Sequence, residues 1–545
     1  MCNRSILITR MCTFMLLITM LFTLAVGCGG NAKPTGETKE NTPEKTASNK
    51  PASWISDTPI KFTMLYKDNP GFPYNKEWLV LQEIKKKTNV ELECQVTTGG
   101  NDYNQKKQIV LSSGEIPDIV SDCWANEMGD YATNGVLLPI SDYLNKMPNL
   151  SKIIKDWKLE EDLEDIKEID GKYYILPSFK KELKESQGFG LRVDLFKKNN
   201  IKIPDTYEDV YQALKKLKEI YPDSLGLSDQ SKGDQMMAII TRSFGTNSGY
   251  SINGGANYEW DQKKWVFEPT TPEFREVLRY FNKLYKEGLL DPEAFTQDRN
   301  QFNQKLYNGK ILASCMWRDQ TNSWNAEMKK LGLQDADFRQ ILPPAGPKGI
   351  RGVKSSNRIN GGSIIPASAA KKPYFDKLLK FVDWLYYSEE ALLLNEWGTE
   401  GVTYAAVNGQ KQLKSDIKCN KTPDAPKSRQ KDFGMDNLNF KIMNNMDFDK
   451  WNYSPEDKEY YKTLLEKNWI PKEDPQLKFK ADEAEQAKLL SSTLKDFIKE
   501  MQVKFIFGKA SLDSDWDNYV KECEKKGSTK LVELKQKAYD RQTKK

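Results

Sequence analysis

The chain of 545 residues carries 82 Lys and Arg against 77 Asp and Glu, a formal charge of +5, with 38% hydrophobic residues, 11% aromatics and no histidine. So even a balance gives no electrostatic footprint for nucleic acid or an acidic polymer. The missing histidine excludes His-ligated zinc, Ser-His-Asp and Cys-His nucleophiles and the ordinary general base near neutral pH, while paired carboxylates leave glycoside cleavage open.

Arg4 and Arg10 precede an uncharged run from Met11 to Gly27, which ends in Leu24-Ala25-Val26-Gly27-Cys28. A basic start, a short apolar stretch and small residues at a cut are the order of a secretory signal. The run is 17 residues, shorter than the ~20 a spanning helix prefers. The small-small-Cys ending resembles the lipobox of bacterial lipoproteins, with Ala25 where that pattern favours leucine. It implies cleavage after residue 27, acylation of Cys28 and a body held at the outer face of the cytoplasmic membrane. Residues 28–57 follow as a tether: Gly29 to Ser53 hold no aromatic and no large aliphatic side chain, too little apolar surface to offset ordering.

The body is long enough for two or more domains. Without Arg4 and Arg10 its charge is 80 against 77. Its cysteines, Cys94, Cys123, Cys315, Cys419 and Cys523, are odd in number with no CxxC; buried thiols are the default, one disulfide staying open with no pair selected. Ile60 to Tyr66 alternates as a strand, Asn75 to Lys87 reads as a helix, Val90 to Val96 as a strand, Gln105 to Ser112 as a helix stopped by Gly114, and Asp118 to Val120 as a strand. This β-α-β-α-β order predicts a mostly parallel open sheet with ligands at the carboxyl ends of its strands. Tyr258-Glu-Trp260 and Trp265-Val-Phe267 flank a hairpin turn, where both tryptophans are packing residues. Thr271-Pro272 opens a helix closed by Gly288, and Phe375 to Leu385 forms another. Trp516 and Tyr519 are assigned to packing.

Ser113-Gly114-Glu-Ile-Pro117-Asp118-Ile119-Val120, Trp124, Gly135-Val-Leu-Leu138-Pro139, Asp170-Gly171-Lys172-Tyr173-Tyr174 and Leu191-Arg192-Val-Asp194-Leu195-Phe196 follow one another in order. Further on stand Lys286-Glu287-Gly288-Leu289-Leu290-Asp291-Pro292, Asn308-Gly309-Lys310, Trp397-Gly398-Thr-Glu400-Gly401 and Lys504-Phe505-Ile506-Phe507-Gly508. Together they resemble the extracellular solute-binding proteins of carbohydrate ABC transporters, in their large lipoprotein-type branch. The resemblance implies an α/β fold of the type 2 periplasmic-binding-protein kind: two discontinuous lobes, each an open, mostly parallel sheet flanked by helices, with a ligand cleft between them. Lobe one is placed at 58–180 and 340–408, lobe two at 181–339 and 409–545. Some members of that branch carry a calcium loop; Pro222 to Asp229 lacks alternating oxygen ligands, so no metal and no cofactor is expected.

A sugar ring stacks its C–H face on an aromatic plane and offers hydroxyls to carboxylates and guanidinium groups. The expected ligand-binding residues are Tyr66 and Asp68 closing the first strand, Asp122 and Trp124 beyond the third, and Arg192 after the crossover. Trp317, Arg318 and Asp319 follow a lobe-two strand, and Trp397 and Glu400 stand near the last crossover. The resulting expectation is a non-enzymatic, monomeric, membrane-anchored receptor that delivers an oligosaccharide to ABC permease subunits. An extracellular glycoside-cleaving lipoprotein using two carboxylates is the alternative.

Overall fold

The computed structural model describes residues 51, 53–247, 254–419, 425–445 and 454–543; the signal segment and Cys28 lie outside them. In chain order the strands are β1 (Ile60–Asp68), β2 (Val90–Thr98), β3 (Ile119–Cys123), β4 (Leu176–Lys180), β5 (Gln187–Arg192) and β6 (Gly226–Ser228). Then come the hairpin β7 (Ala256–Glu259) and β8 (Lys264–Phe267), β9 (Ile311–Trp317) and β10 (Phe338–Gln340). β11 (Ile359–Ile364), the hairpin β12 (Tyr404–Val407) and β13 (Gln410–Leu413), and the short β14 (Met443–Asn444) follow. One sheet has the order β14-β4-β11-β3-β1-β2, a second β10-β5-β9-β6.

Local signals account for the joins. β1 and β2 run parallel from Ile60 opposite Val90 to Asp68 opposite Thr98, which requires a crossover helix. That helix, Leu79–Thr88, ends on Asn89 in the left-handed conformation at φ 59°. Helix Pro272–Lys286 starts where the Thr271 hydroxyl accepts the Phe274 amide and proline takes the first turn, and it buries Phe274, Val277, Leu278, Phe281 and Leu284. In the β7–β8 hairpin Trp265 is buried opposite Tyr258. Trp260 instead lies past the end of β7, 41% exposed, with the Tyr258 ring edge-on to it.

Two large cores result. Phe62, Met64, Ile119, Val120, Leu176 and Phe179 of the six-stranded sheet pack with Leu378, Phe381 and Val382 of helix Phe375–Tyr387. Phe189, Leu191, Leu312 and Cys315 of the four-stranded sheet pack with Val277, Phe281, Phe505, Trp516 and Tyr519. Each such large side chain contributes ~1.5–3 kcal/mol on burial. The five described body cysteines are free thiols. The expected assignment of 409–545 to lobe two does not match the strand pairing. Met435, Phe440, Ile442 and Met443 belong to the first core, because β14 runs beside β4 with Met443 opposite Phe179.

The sheets are also less parallel than predicted. β11 is antiparallel to both its neighbours, and β5 is antiparallel to β9 and β10. The reason is the crossing of the chain between sheets. β3, β4, β9, β10 and β14 end where the two sheets face one another, whereas β5 and β11 arrive from that side and run away from it. The crossing segments are bonded side by side: Lys180 donates its amide to Arg358 O at 2.8 Å, Val353 to Trp469 O at 3.1 Å and Ser356 to Pro471 O at 3.2 Å.

Candidate functional site

Where the strand ends of the two sheets meet, a cleft of about 1070 Å³ opens. Trp124 after β3, Lys180 at the end of β4 and Asn444 at the end of β14 line it from the first sheet; Trp317 ends β9, Gln340 ends β10 and Gln187 begins β5 on the other side. A ligand site at the carboxyl ends of strands is the general rule for open α/β sheets.

Trp124 is 45% exposed. Its indole is accommodated by Gly361 of β11, where an added Cβ would lie 3.3 Å from Trp124 Cδ2 and 2.7 Å from the Cys123 carbonyl oxygen. Trp317, half-buried, sits opposite Gln187 and donates its amide to Gln320 Oε1 at 3.0 Å. Arg318 pairs with Asp457 and lies over the Tyr460 ring at 4.2 Å, a cation–π contact. Asp319 stands exposed on the same wall. Tyr460 Oη, Gln340 Oε1 and an Arg318 guanidinium nitrogen, Nη1, are buried there without a hydrogen-bond partner. An unsatisfied buried polar atom costs about 1–3 kcal/mol.

The first-sheet wall is ionic. Lys441 donates to Glu396 and, at 2.9 Å, to Asp436; Arg429 donates to Asp436 at 3.2 Å. Burial works against the Lys441 charge, but Asp436 and Glu396 outweigh it and hold the ammonium above the ordinary lysine range. Burial likewise opposes the Asp436 carboxylate, and Lys441 with Arg429 holds it below the usual range. Such alternation lets charges sit out of water, since a buried charge without its partner is strongly destabilising.

A third group sits on the crossing segments. Lys180 donates to Ser356 Oγ at 2.8 Å, and buried Glu185 accepts the Gln187 amide at 2.7 Å. Burial lowers Lys180, opposed by the charges of Glu185 and Glu473, and raises Glu185 and Glu473, opposed by Lys180 and Lys354.

Of the predicted residues, the structure gathers Trp124, Trp317, Arg318 and Asp319 at the cleft and leaves the other six elsewhere. Tyr66 is a core residue: its ring lies 5.1 Å from Tyr74 and 5.7 Å from Phe440, and its hydroxyl accepts from Asn437 at 2.7 Å. β1 lies toward the sheet edge remote from the crossings, and Asp68 there takes the Tyr74 amide at 2.8 Å. Asp122, at φ 51°, turns from β3 to pair with Lys67 of β1 at 2.7 Å. Arg192 ends β5, at the opposite end of that strand from Gln187, and is held by both Asp194 oxygens at 2.9 and 2.7 Å. Trp397 is buried edge-on to Tyr404 at 5.9 Å, and Glu400 is an exposed residue of the turn before β12.

Sequence reasoning missed Lys180, Glu185, Tyr460 and the Glu396–Lys441–Asp436–Arg429 group. Lys180 to Gln187 did carry a signal, a charged stretch between two strands where the chain changes lobe. Tyr460 lies in helix Pro455–Glu466, whose pattern in the sequence says nothing of the wall it packs on. Pro222 to Asp229, considered for calcium, runs into β6; Asp229 gives its carboxylate to the amides of Ser231, Gly233 and Met236, and burial pushes it up to about 7.

Comparison with known proteins agrees with this architecture. The family model described as bacterial extracellular solute-binding protein matches residues 76–391. The fructooligosaccharide ABC transporter substrate-binding protein FusA of Streptococcus pneumoniae serotype 4 is 24% identical over 495 residues, 85% of this chain and 87% of its own. The polygalacturonan/rhamnogalacturonan-binding protein YtcQ of Bacillus subtilis is 26% identical over 406 residues, 71% of this chain and 73% of its own. Among solved structures, the alginate-binding protein AlgQ2 without calcium ion superposes with a TM-score of 0.69 at 20% identity, covering 90% of this chain and 100% of that one.

Proposed function

The chain belongs to the bacterial extracellular solute-binding proteins, and from that premise we propose that it is the receptor of an ABC importer, holding an oligosaccharide in the cleft and passing it to permease subunits without bond chemistry. The observation that carries this reading is the pair Trp124 and Trp317, which line one cleft from two different sheets. The same cleft is lined by polar groups of the kind that take sugar hydroxyls, among them Gln187, Arg318, Asp319 and Gln340. A fold alone does not fix a ligand; the two aromatic planes and the polar lining of the cleft are what favour a sugar.

In this reading lobe one is 58–180 with 359–444, lobe two is 186–340 with 475–543, and the segments between them are the hinge. A ligand gripped from both sides favours the closed arrangement by its extra contacts there. The body is a monomer tethered by an acylated Cys28, and two acyl-type signals give the stable attachment that one chain does not.

Melting curves against an oligosaccharide panel test the receptor. A sugar at 100 times its dissociation constant stabilises by about 2.7 kcal/mol and is recovered at its original length; recovery of shortened sugar would overturn the reading. Cys28→Ala is expected to move the protein out of the membrane fraction, and a wild-type chain that incorporates no labelled fatty acid would remove the anchor.

A further inference from the structure

The cleft has more acid than base, and several of its bases are already paired with acids. Among the described residues that line it, nine carry carboxylates and seven carry ammonium or guanidinium groups. Arg318 is taken by Asp457, and Lys441 and Arg429 by Glu396 and Asp436. Lys180 binds Ser356 and, with Lys354, faces Glu185 and Glu473.

We propose that this cleft selects oligosaccharides without carboxylates and rejects polyuronates, with Glu185 and Glu473 setting the preference; the proposal rests on the receptor reading above. Each residue of a uronate oligomer brings one negative charge out of water. Here carboxylates outnumber cations along the lining, and like-charge juxtaposition is a strong device against a wrong partner. An uncharged sugar uses both halves of each pair: its hydroxyls donate to the acids and accept from the bases, in charge-assisted hydrogen bonds. The likeness to a polygalacturonan-binding relative therefore does not carry that ligand to this cleft.

The test is an array of oligosaccharides in which each uronate oligomer is printed beside its carboxyl-reduced counterpart of equal length, probed with the full chain. The expected result is binding confined to uncharged members, with every uronate at least about tenfold weaker and the gap widening at low salt, where screening is least. A uronate bound as tightly as its reduced counterpart overturns the inference and leaves the receptor reading intact. Silence across the whole array overturns the receptor reading itself, and the inference with it. Glu185→Gln combined with Glu473→Gln leaves Lys180 and Lys354 uncompensated, so the ratio of uronate to uncharged binding should rise about tenfold; an unchanged ratio in a variant that melts normally removes these two residues from the role. The wild-type array decides the preference even if that variant does not fold.

Discussion

Trp124 and Trp397 share a side chain and differ in what surrounds it: the first is 45% exposed, the second 6%. An open indole has free area to give a ligand, whereas a covered one has already spent it on the core. Trp124→Ala and Trp317→Ala are therefore expected to weaken sugar binding tenfold to a hundredfold, about 1.4–2.8 kcal/mol, with little change in melting temperature for Trp124. Trp397→Ala and Tyr66→Ala should instead cost ~3–5 kcal/mol of folding stability. Calorimetry and melting curves on the four variants separate the classes; unchanged affinity in Trp124→Ala would remove it from the site. The sequence could put Trp124 and Trp317 beside the cleft because one directly follows and the other ends a strand that terminates there. It misplaced Tyr66 because alternation in β1 does not say which face is inward or how far along the sheet the strand lies. It misplaced Arg192 because reading a crossover from sequence does not tell which end of the next strand faces the ligand.

The helix at 481–506 and the helix at 528–543 are clipped together by one acid. Arg541 donates to both Glu483 oxygens at 3.0 and 2.7 Å, and this pairing lowers the Glu483 carboxyl to about 2. An unfolded glutamate titrates near pH 4.3. A carboxyl depressed on folding contributes stability that is full above that value and lost as pH falls through its folded value. Glu483→Gln should thus lower stability by about 1.5–3 kcal/mol near neutral pH, the scale of a hydrogen bond to a charged group. That deficit should shrink as pH falls below about 4 and be lost only below pH 2, and a gap between the two melting curves independent of pH would show that Glu483 does not act through its charge. At this scale the sequence was a good guide to helices and a poor one to strand direction. Thr271, Pro272 and Gly288 mark their helix by local chemistry, while the orientation of β5 and β11 depends on strands more than a hundred positions away in the chain.

At the scale of the whole molecule, three segments bonded side by side join two separately packed cores. Small-angle scattering with the tightest-binding sugar of the panel should give a smaller radius of gyration than the free protein. Tight binding at constant radius would mean that the cleft does not close. The placement of β14 has a further consequence, in time rather than space. Ser178 and Ile442, which bond beside this strand pair, are 264 positions apart, so the first sheet takes its last strand long after its other five have been made. Until residues 435–444 leave the ribosome, β4 is a bare edge and the cavity meant for Phe440 and Met443 is unfilled. Pairing over such a span makes folding slow, and an uncovered apolar edge makes the nascent chain prone to associate. The first lobe therefore waits for residue 444, and the second, whose core needs Phe505, Trp516 and Tyr519, waits longer still; a nascent chain of this protein is sticky for most of its length, which favours holding it unfolded until its C-terminal third has emerged.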